Sequence, residues 1–161
     1  MYYRGPLEFR GSPPAVRIHL NRDETIVFPV NMLPINHSYS DQNDLPHARL
    51  NVYSLEEILV EKLRAFSSQR KFAIARDIYD IYHLVQRQTD VVKSINALGE
   101  KCAVKNIDIK KIDLNDIMRR KEEYKLNWEN NLLYLVPQNL KISFDEAWNL
   151  STGLLKQALQ K

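Results

Sequence analysis

The chain has 161 residues, of which 44% are apolar and 27% are charged, and its formal net charge is +3. This balance is typical of one globular domain that can bury a core, and the small positive charge allows a nucleotide or nucleic-acid partner without indicating one. The single Cys102 excludes an internal disulfide and multi-cysteine metal sites, and without a membrane-length apolar run or a signal-peptide pattern we expect a cytoplasmic protein.

Residues 1–53 have the composition of a β-rich segment, with six of the seven prolines. Residues 16–20 alternate apolar and polar side chains, which predicts a half-buried strand. Residues 25–30 predict its hairpin partner, and residues 49–53 predict a third strand. Residues 36–47 are polar and predict a loop. A sheet of three short strands is thin, so we expect it to need a covering layer.

The pattern becomes helical in residues 54–161. Two capping boxes, Ser54 with Glu57 and Ser143 with Glu146, predict the starts of the first and last helices. The sequence therefore predicts an α+β fold with a small N-terminal sheet and a mainly helical remainder. We place the boundary between these two domains after residue 53.

Three further features divide the helical part. Residues 69–71 are predicted to form a basic turn between the first and second helices. Asp90 or Thr89 is suited to cap a third helix, and Gly99 is predicted to end it. Residues 113–125 are predicted to form one further helix, capped by Asp113.

A pair of opposite charges within two apolar helical stripes is the sharpest signal in the sequence. Lys62 lies seven residues after Leu55 in the first helix, and Asp77 lies three residues after Ile74 in the second. Burying a charge is costly unless the charge is paired or used. Two interpretations stay open: an interhelical salt bridge with the lysine stem packed on leucine, or a phosphate-binding lysine with an acidic partner.

Other charged side chains accompany this pair. Asp80 lies three residues after Asp77 on the same helix surface, where two carboxylates can share a divalent metal or act as a general base. The structural alternative for Asp80 is an ion pair with Arg76. A basic cluster surrounds the turn between these helices, and two interpretations of it stay open. It is an electropositive rim that binds a triphosphate or RNA, or it is a solvated surface without a ligand. Its members are Arg64, Arg70, Lys71 and Arg76.

These two helices carry a resemblance to a known family. The matching segments are Leu55-Glu56-Glu57-Ile58, Glu61-Lys62-Leu63-Arg64-Ala65 and Arg76-Asp77-Ile78-Tyr79-Asp80. They resemble the AbiEii/AbiGii-type nucleotidyltransferases of abortive infection, which are toxins of type IV-like toxin–antitoxin systems. The family is built on the polymerase-β-like nucleotidyltransferase fold, so the small sheet is expected to be a remnant of the nucleotidyltransferase sheet.

The resemblance implies an activity and a set of site residues. A complete member transfers a nucleotidyl group from an NTP to RNA, such as a tRNA end, or to a protein hydroxyl. By this resemblance the catalytic residues are Lys62, Asp77 and Asp80. Nucleotide phosphate is expected to contact Lys62, with the basic residues Arg64, Arg70 and Arg76 beside it. The resemblance also implies a cognate antitoxin, and Mg²⁺ or Mn²⁺ as the cofactor of a complete member.

Two departures from the family pattern limit this expectation. The Gly-Gly…Arg-x-Ser-x-Asp-x-Asp run whose aspartates hold the catalytic metal is absent from the sequence, and His19 stands where many members have an acidic residue. We therefore expect a truncated, fragmentary or degenerate member that binds no metal and is inactive by itself. The rival interpretations are a non-catalytic binding or regulatory module, which dimerises through an exposed sheet edge, and a non-functional gene remnant.

Overall fold

The computed structural model describes residue 18 and residues 24–35, 48–67 and 70–160. In this described part the fold is α+β, as predicted: a small antiparallel sheet precedes a mainly helical region. The strands and α-helices are β1 (Asn31–Pro34), β2 (Arg49–Val52), α1 (Leu55–Ser67), α2 (Ala75–Gln86), α3 (Val91–Ala103), α4 (Leu114–Arg119), α5 (Lys121–Asn131) and α6 (Phe144–Leu159). None of the described helices has the length and apolar composition that crossing a membrane requires.

The described sheet is a two-stranded ribbon. β1 and β2 pair in antiparallel register, with Leu33 opposite Leu50. Pro34 is accommodated because a strand at the edge of a sheet can lack one N–H donor. The predicted strand at residues 49–53 is confirmed as β2. The strand predicted at residues 16–20 and the loop predicted at residues 36–47 lie outside the described residues, apart from Ile18.

The prediction of a strand at residues 25–30 is wrong. This segment is not assigned to a strand, Phe28 lies at a bend, and the segment pairs with no strand in the part of the chain that the structure describes. The backbone N–H groups of Val27 and Phe28 instead donate to Oε2 of Glu57, each at 2.9 Å. Because a carboxylate on α1 satisfies these donors, the segment is tied to the helices rather than to a sheet.

The same carboxylate changes the predicted cap of α1. The backbone N–H of Glu57 donates to Oγ of Ser54 at 3.2 Å, so the serine half of the capping box is confirmed. The predicted reciprocal hydrogen bond, from the backbone N–H of Ser54 to the Glu57 side chain, is wrong. The Glu57 carboxylate instead accepts from the backbone N–H groups of Val27 and Phe28 and from Lys101. The second box is complete: Ser143 and Glu146 exchange both hydrogen bonds at the start of α6.

The third helix begins as predicted but ends later. Asp90 caps α3 by accepting a backbone hydrogen bond. Gly99 does not end the helix, so that prediction is wrong. Leu98 and Cys102 are both fully buried, and their packing outweighs the modest cost of a glycine inside a helix. The turn after α3 contains Asn106 at a φ of 56°, a conformation that asparagine tolerates better than most residues.

The single helix predicted for residues 113–125 is divided in two. Asp113 caps α4 as predicted, and the chain then leaves helical geometry at Arg120, where φ is −88° and ψ is 6°. Ile117, Tyr124 and Trp128 are buried on both sides of this break. Apolar periodicity does not reveal the break, because the buried positions keep the spacing of one continuous helix.

The helices enclose one aromatic-rich core. α1 packs against α2 and α3, and α2 packs against α5 and α6. Phe66, Tyr124 and Trp148 meet at its centre, with ring centroids 5.4–5.8 Å apart. Such tilted and edge-to-face contacts stabilise a core beyond the area they bury. This packing holds α1 and α2 side by side, so that residues 62 and 77 face each other.

Candidate functional site

One lysine on α1 joins two carboxylates on α2. Nζ of Lys62 lies 3.1 Å from Oδ1 of Asp77 and 2.5 Å from Oδ2 of Asp80. The interhelical salt bridge expected from the sequence is therefore present, and the two aspartates lie on one surface of α2. An ammonium group has three N–H donors, and these two carboxylates account for two of them.

Arg70 adds a second cation to this group, which we call the Lys62 cluster (Lys62, Arg70, Asp77 and Asp80). Its Nε lies 3.2 Å from Oδ2 of Asp77, a Coulombic contact that lacks hydrogen-bond geometry. Asp77 is almost fully buried, at 2% exposure, whereas the side chains of Lys62 and Arg70 are 25% and 40% exposed. Asp77 thus anchors two cations that both reach the surface.

The segment that carries Arg70 is held by α5. Three hydrogen bonds join them: Arg120 Nη1 to the carbonyl of Arg70 at 3.1 Å, the N–H of Ala73 to Glu123 Oε1 at 2.6 Å, and the N–H of Ala75 to Asn127 Oδ1 at 2.9 Å. These bonds satisfy backbone groups before and at the start of α2, where a helix has no internal partners for them. Residues 70–75 are therefore held in place by contacts from a distant part of the sequence.

Electrostatics keep Lys62 charged. Partial burial opposes the charge, but the hydrogen bond to Asp80 and the charge of Asp77 outweigh it and raise the pKa of Lys62. The ammonium is cationic throughout the physiological pH range. It is therefore suited to hold an anion and unsuited to act as a general base.

The other predicted basic residues lie in different environments. Arg64 pairs with Glu61, on the side of α1 that faces away from Asp77. Arg76 is exposed, and in the described residues it forms no ion pair with Asp80, whose partner is Lys62. The structural alternative of an Arg76–Asp80 pair is therefore wrong. The roles of Arg64, Arg70 and Arg76 in binding phosphate stay predictions.

A second charge cluster lies on a different side of α1, which faces α3. Nζ of Lys101, on α3, lies 2.6 Å from Glu57, 3.0 Å from Glu24 and 3.2 Å from Glu61, and it also donates to the carbonyl of Thr25 at 2.5 Å. Burial opposes the charge of Lys101, but the three carboxylates outweigh it and raise its pKa. We call this group the Lys101 cluster (Glu24, Glu57, Glu61 and Lys101).

The sequence reasoning missed the Lys101 cluster, although a signal for it exists. Lys101 lies three residues after Leu98 and directly before Cys102, so it occupies a buried position of α3. A lysine within an apolar stripe is the same kind of signal that identified Lys62. The partner Glu24 gave no such signal, because it precedes the helices and belongs to a segment without periodicity.

A groove adjoins the Lys62 cluster. It has a volume of about 320 Å³, and it is lined by Ile58, Tyr79, Asp80, His83, Leu84, Arg87 and Leu140. Asp80 belongs to both the groove and the cluster. We call this cavity the α2 groove. Four of its lining residues lie on α2, and a fifth, Arg87, directly follows that helix.

The described side chains do not fit a resident metal or a cysteine nucleophile. No three His, Cys, Asp or Glu side chains converge on a metal-sized site in the part of the chain that the structure describes. Asp77 and Asp80 are instead paired with Lys62, and Asp77 also with Arg70. Cys102 is buried, and burial raises the pKa of its thiol.

The fold and the charged motifs agree with the family that the sequence resembles. A thin sheet followed by a helical bundle, with Glu-Lys on α1 and Arg-Asp-x-x-Asp on α2, is the pattern that this resemblance implies for a nucleotidyltransferase-type toxin. The family model described as nucleotidyl transferase AbiEii toxin of type IV toxin–antitoxin systems matches residues 3–150, and the chain belongs to this family. Membership in a toxin–antitoxin family implies an antitoxin partner. No curated protein and no solved structure matches the chain significantly.

Proposed function

We propose that the Lys62 cluster is the phosphate-binding half of a nucleotidyltransferase site. In a complete site the reaction transfers a nucleotidyl group from an NTP to RNA, such as a tRNA end, or to a protein hydroxyl. The observation that carries this proposal is that Lys62 has two partners among the described residues, which leaves its third N–H donor for a ligand. Its other two donors are held by Asp77 and Asp80, on a side chain that is 25% exposed.

The arrangement prepares both cations for a phosphate. Asp77 and Asp80 hold the long side chain of Lys62 in one conformation, so little rotamer entropy remains to be lost on binding. Arg70 reaches the surface from the other side of Asp77, and a guanidinium is well suited to phosphate oxygens. Lys62 and Arg70 bind phosphate oxygens in this proposal, and Asp77 positions both.

This chain is proposed to have little or no catalytic activity alone. Nucleotidyl transfer in the family uses Mg²⁺ or Mn²⁺, which neutralises phosphate charge and activates the attacking group. The carboxylates of the Lys62 cluster are already paired with cations, and they do not fit that metal. The sequence contains no Asp-x-Asp motif that would supply other metal ligands. The role proposed for these residues is therefore to bind and orient phosphate.

Binding of inorganic tripolyphosphate tests the proposed site without requiring catalysis. We expect Lys62→Ala to weaken tripolyphosphate binding in isothermal titration calorimetry by about tenfold or more, the size expected for a charge-assisted contact. Lys121→Ala is the matched control, because Lys121 is also ion-paired, 2.7 Å from Asp145. Equal binding by the Lys62→Ala variant and the wild type would overturn the proposal.

A labelling experiment tests the proposed inactivity. The chain is incubated with labelled NTPs, Mg²⁺ or Mn²⁺, and tRNA. We expect no labelled RNA or protein. Strong labelling that is abolished by Lys62→Ala would show that the chain is an active enzyme by itself.

A non-catalytic docking or dimerisation module is the second candidate, and the β1–β2 hairpin favours it. Met32, Leu33 and Leu50 are 50–56% exposed, which is unusual for three neighbouring apolar residues on one ribbon. In this function the hairpin contacts the antitoxin or a second copy of the chain. Light scattering and pull-down with the antitoxin test it. A monomer that captures no antitoxin would contradict it.

A further inference from the structure

Phe72 projects into solvent from a backbone segment that is held in place. Its side chain belongs to a residue that is 67% exposed, so most of the ring has no contact within the chain. The segment around it is fixed to α5 by the hydrogen bonds at Arg70, Ala73 and Ala75. An exposed aromatic ring on a fixed backbone has little conformational entropy to lose on binding, which is a property of residues that anchor protein interfaces.

The surroundings of this ring are cationic. Nζ of Lys71 lies 5.4 Å from the centroid of the Phe72 ring, within the range of a cation–π contact. Arg70 and Arg76 are also exposed, on either side of these two residues in the chain. Glu123, which contacts the segment from α5, is itself paired with an arginine. A partner that fits Phe72 therefore combines an apolar pocket with negative charge.

The chain itself contains a cavity with these properties, which we call the α4 pocket. It has a volume of about 290 Å³, and it lies between the turn after α3 and the helix α4. Three isoleucines give it an apolar surface, and three exposed aspartates, against one lysine, give it negative charge. Phe72 of the same copy does not line it. The isoleucines are Ile107, Ile112 and Ile117, and the aspartates are Asp108, Asp113 and Asp116.

The anchor and the α4 pocket lie at the same end of the helical bundle. Ser67, the last residue of α1, lines the pocket, and Phe72 follows it by five residues, which span at most about 18 Å. The segment of Phe72 is also bonded to Glu123, six residues after Ile117 of the pocket. A surface that carries both an anchor and its complementary pocket is self-complementary. Two copies can then meet about a two-fold axis and make each contact twice.

We propose that the chain forms a two-fold symmetric dimer through this surface. Phe72 of each copy inserts into the α4 pocket of the other copy, and Lys71 pairs with the aspartates that line that pocket. The inference goes beyond the proposed function, because neither catalysis nor phosphate binding enters it. It also differs from dimerisation through the β1–β2 hairpin, which uses other residues.

Truncation of the anchor tests the dimer. Sedimentation velocity at chain concentrations up to about 100 µM measures the association, and we expect a dimer. Phe72→Ala should raise its dissociation constant by about 30-fold or more, the size expected for an interface hot spot. Tyr134→Ala is the matched control and should associate like the wild type, because Tyr134 is an aromatic residue that is 73% exposed and does not line the α4 pocket.

Two charge reversals test the pairing across the interface. Lys71→Glu and Asp116→Lys should each weaken the dimer, because like charges then face each other. Asp116 is suited to this test, since its side chain is 66% exposed and solvent screens its pair with Arg119. An equimolar mixture of the two variants should dimerise like the wild type. The mixed dimer contains one native pair and one reversed pair, and both pairs are of opposite charge.

Three results would overturn the proposal. The first is a wild-type chain that stays monomeric up to the highest concentration. The second is a dimer that Phe72→Ala leaves intact, which would place the contact elsewhere, such as at the β1–β2 hairpin. The third is a monomer whose Phe72 binds labelled oligouridylate or polyglutamate, because the surface then serves a nucleic acid or an acidic protein. Circular dichroism of each variant checks that its fold is retained.

Discussion

Glu61 and Lys62 are consecutive residues of α1, and their side chains enter two different charge clusters. Oε2 of Glu61 lies 3.2 Å from Lys101 on α3, whereas Nζ of Lys62 lies 2.5–3.1 Å from the two aspartates of α2. Neighbouring residues of a helix point about 100° apart, so one helix can serve both partners. α1 is therefore the element that connects the Lys101 cluster to the proposed phosphate site.

Removal of the buried lysine is expected to destabilise the fold strongly. Lys101→Met leaves Glu57 buried without its cation, and breaking a buried ion pair costs about 3–5 kcal/mol. Urea unfolding followed by tryptophan fluorescence measures this loss. Lys93→Met on the same helix is the control, because the side chain of Lys93 is 69% exposed and solvent screens its pair with Asp90, so its loss should change stability little. Equal stability of the two variants would contradict the assigned role of Lys101.

Acid is expected to weaken the fold through Glu61. Burial opposes the charge of Glu61, but hydrogen bonds from Arg64 and Lys101 outweigh it and hold the pKa of Glu61 below its ordinary value of 4.5. A carboxyl group whose pKa is lower in the folded state contributes stability above its unfolded pKa and loses that contribution as the pH falls.

The free energy of unfolding should therefore decrease as the pH falls below about 4.5, through the lower folded pKa of Glu61. Glu61→Gln should make this decrease smaller. The measurement is urea unfolding at neutral and acidic pH, with Glu122→Gln, an exposed position of α5, as control. A pH profile of Glu61→Gln that coincides with the wild type would contradict the prediction.

The support that α5 gives to the start of α2 is expected to affect phosphate binding. Asn127→Ala removes the acceptor of the Ala75 N–H and should cost about 1–2 kcal/mol of stability. It should also weaken tripolyphosphate binding several-fold, because the segment that carries Arg70 is then less well held. Calorimetric titration measures the binding. Asn130→Ala, an exposed position of the same helix, serves as control and should bind like the wild type.

A glycine inside α6 offers a stabilising substitution. An added Cβ at Gly153 meets nothing within 4 Å, so alanine fits there without strain. Glycine inside a helix is less favourable than alanine by about 0.5–1 kcal/mol, and Gly153→Ala should raise the free energy of unfolding by about that amount. Thermal unfolding followed by circular dichroism measures it. A lower melting temperature would indicate that this part of α6 packs differently.

The helices and their charged positions were predictable because their signals are local. Apolar periodicity and serine caps identified α1, α2 and α6, and the cost of burying charge identified Lys62 and Asp77 as a pair. The family resemblance covered the same segment, and residues 3–150 match the family model. The end of α3 past Gly99 was missed because the packing of Leu98 and Cys102 outweighs the cost of the glycine. The break at Arg120 was missed because the buried positions on both sides of it keep the spacing of one helix.

The sequence alone determined the α+β class, the family, and the presence of opposite charges on the facing stripes of α1 and α2. Only the tertiary structure decided which groups these charges meet. In the structure Asp80 pairs with Lys62 and not with Arg76, and Glu57 accepts hydrogen bonds from the backbone of residues 27–28. The α2 groove lies beside the Lys62 cluster. The physical reason is that periodicity describes one element at a time, whereas ion pairs and cavities form between elements that lie far apart in the chain.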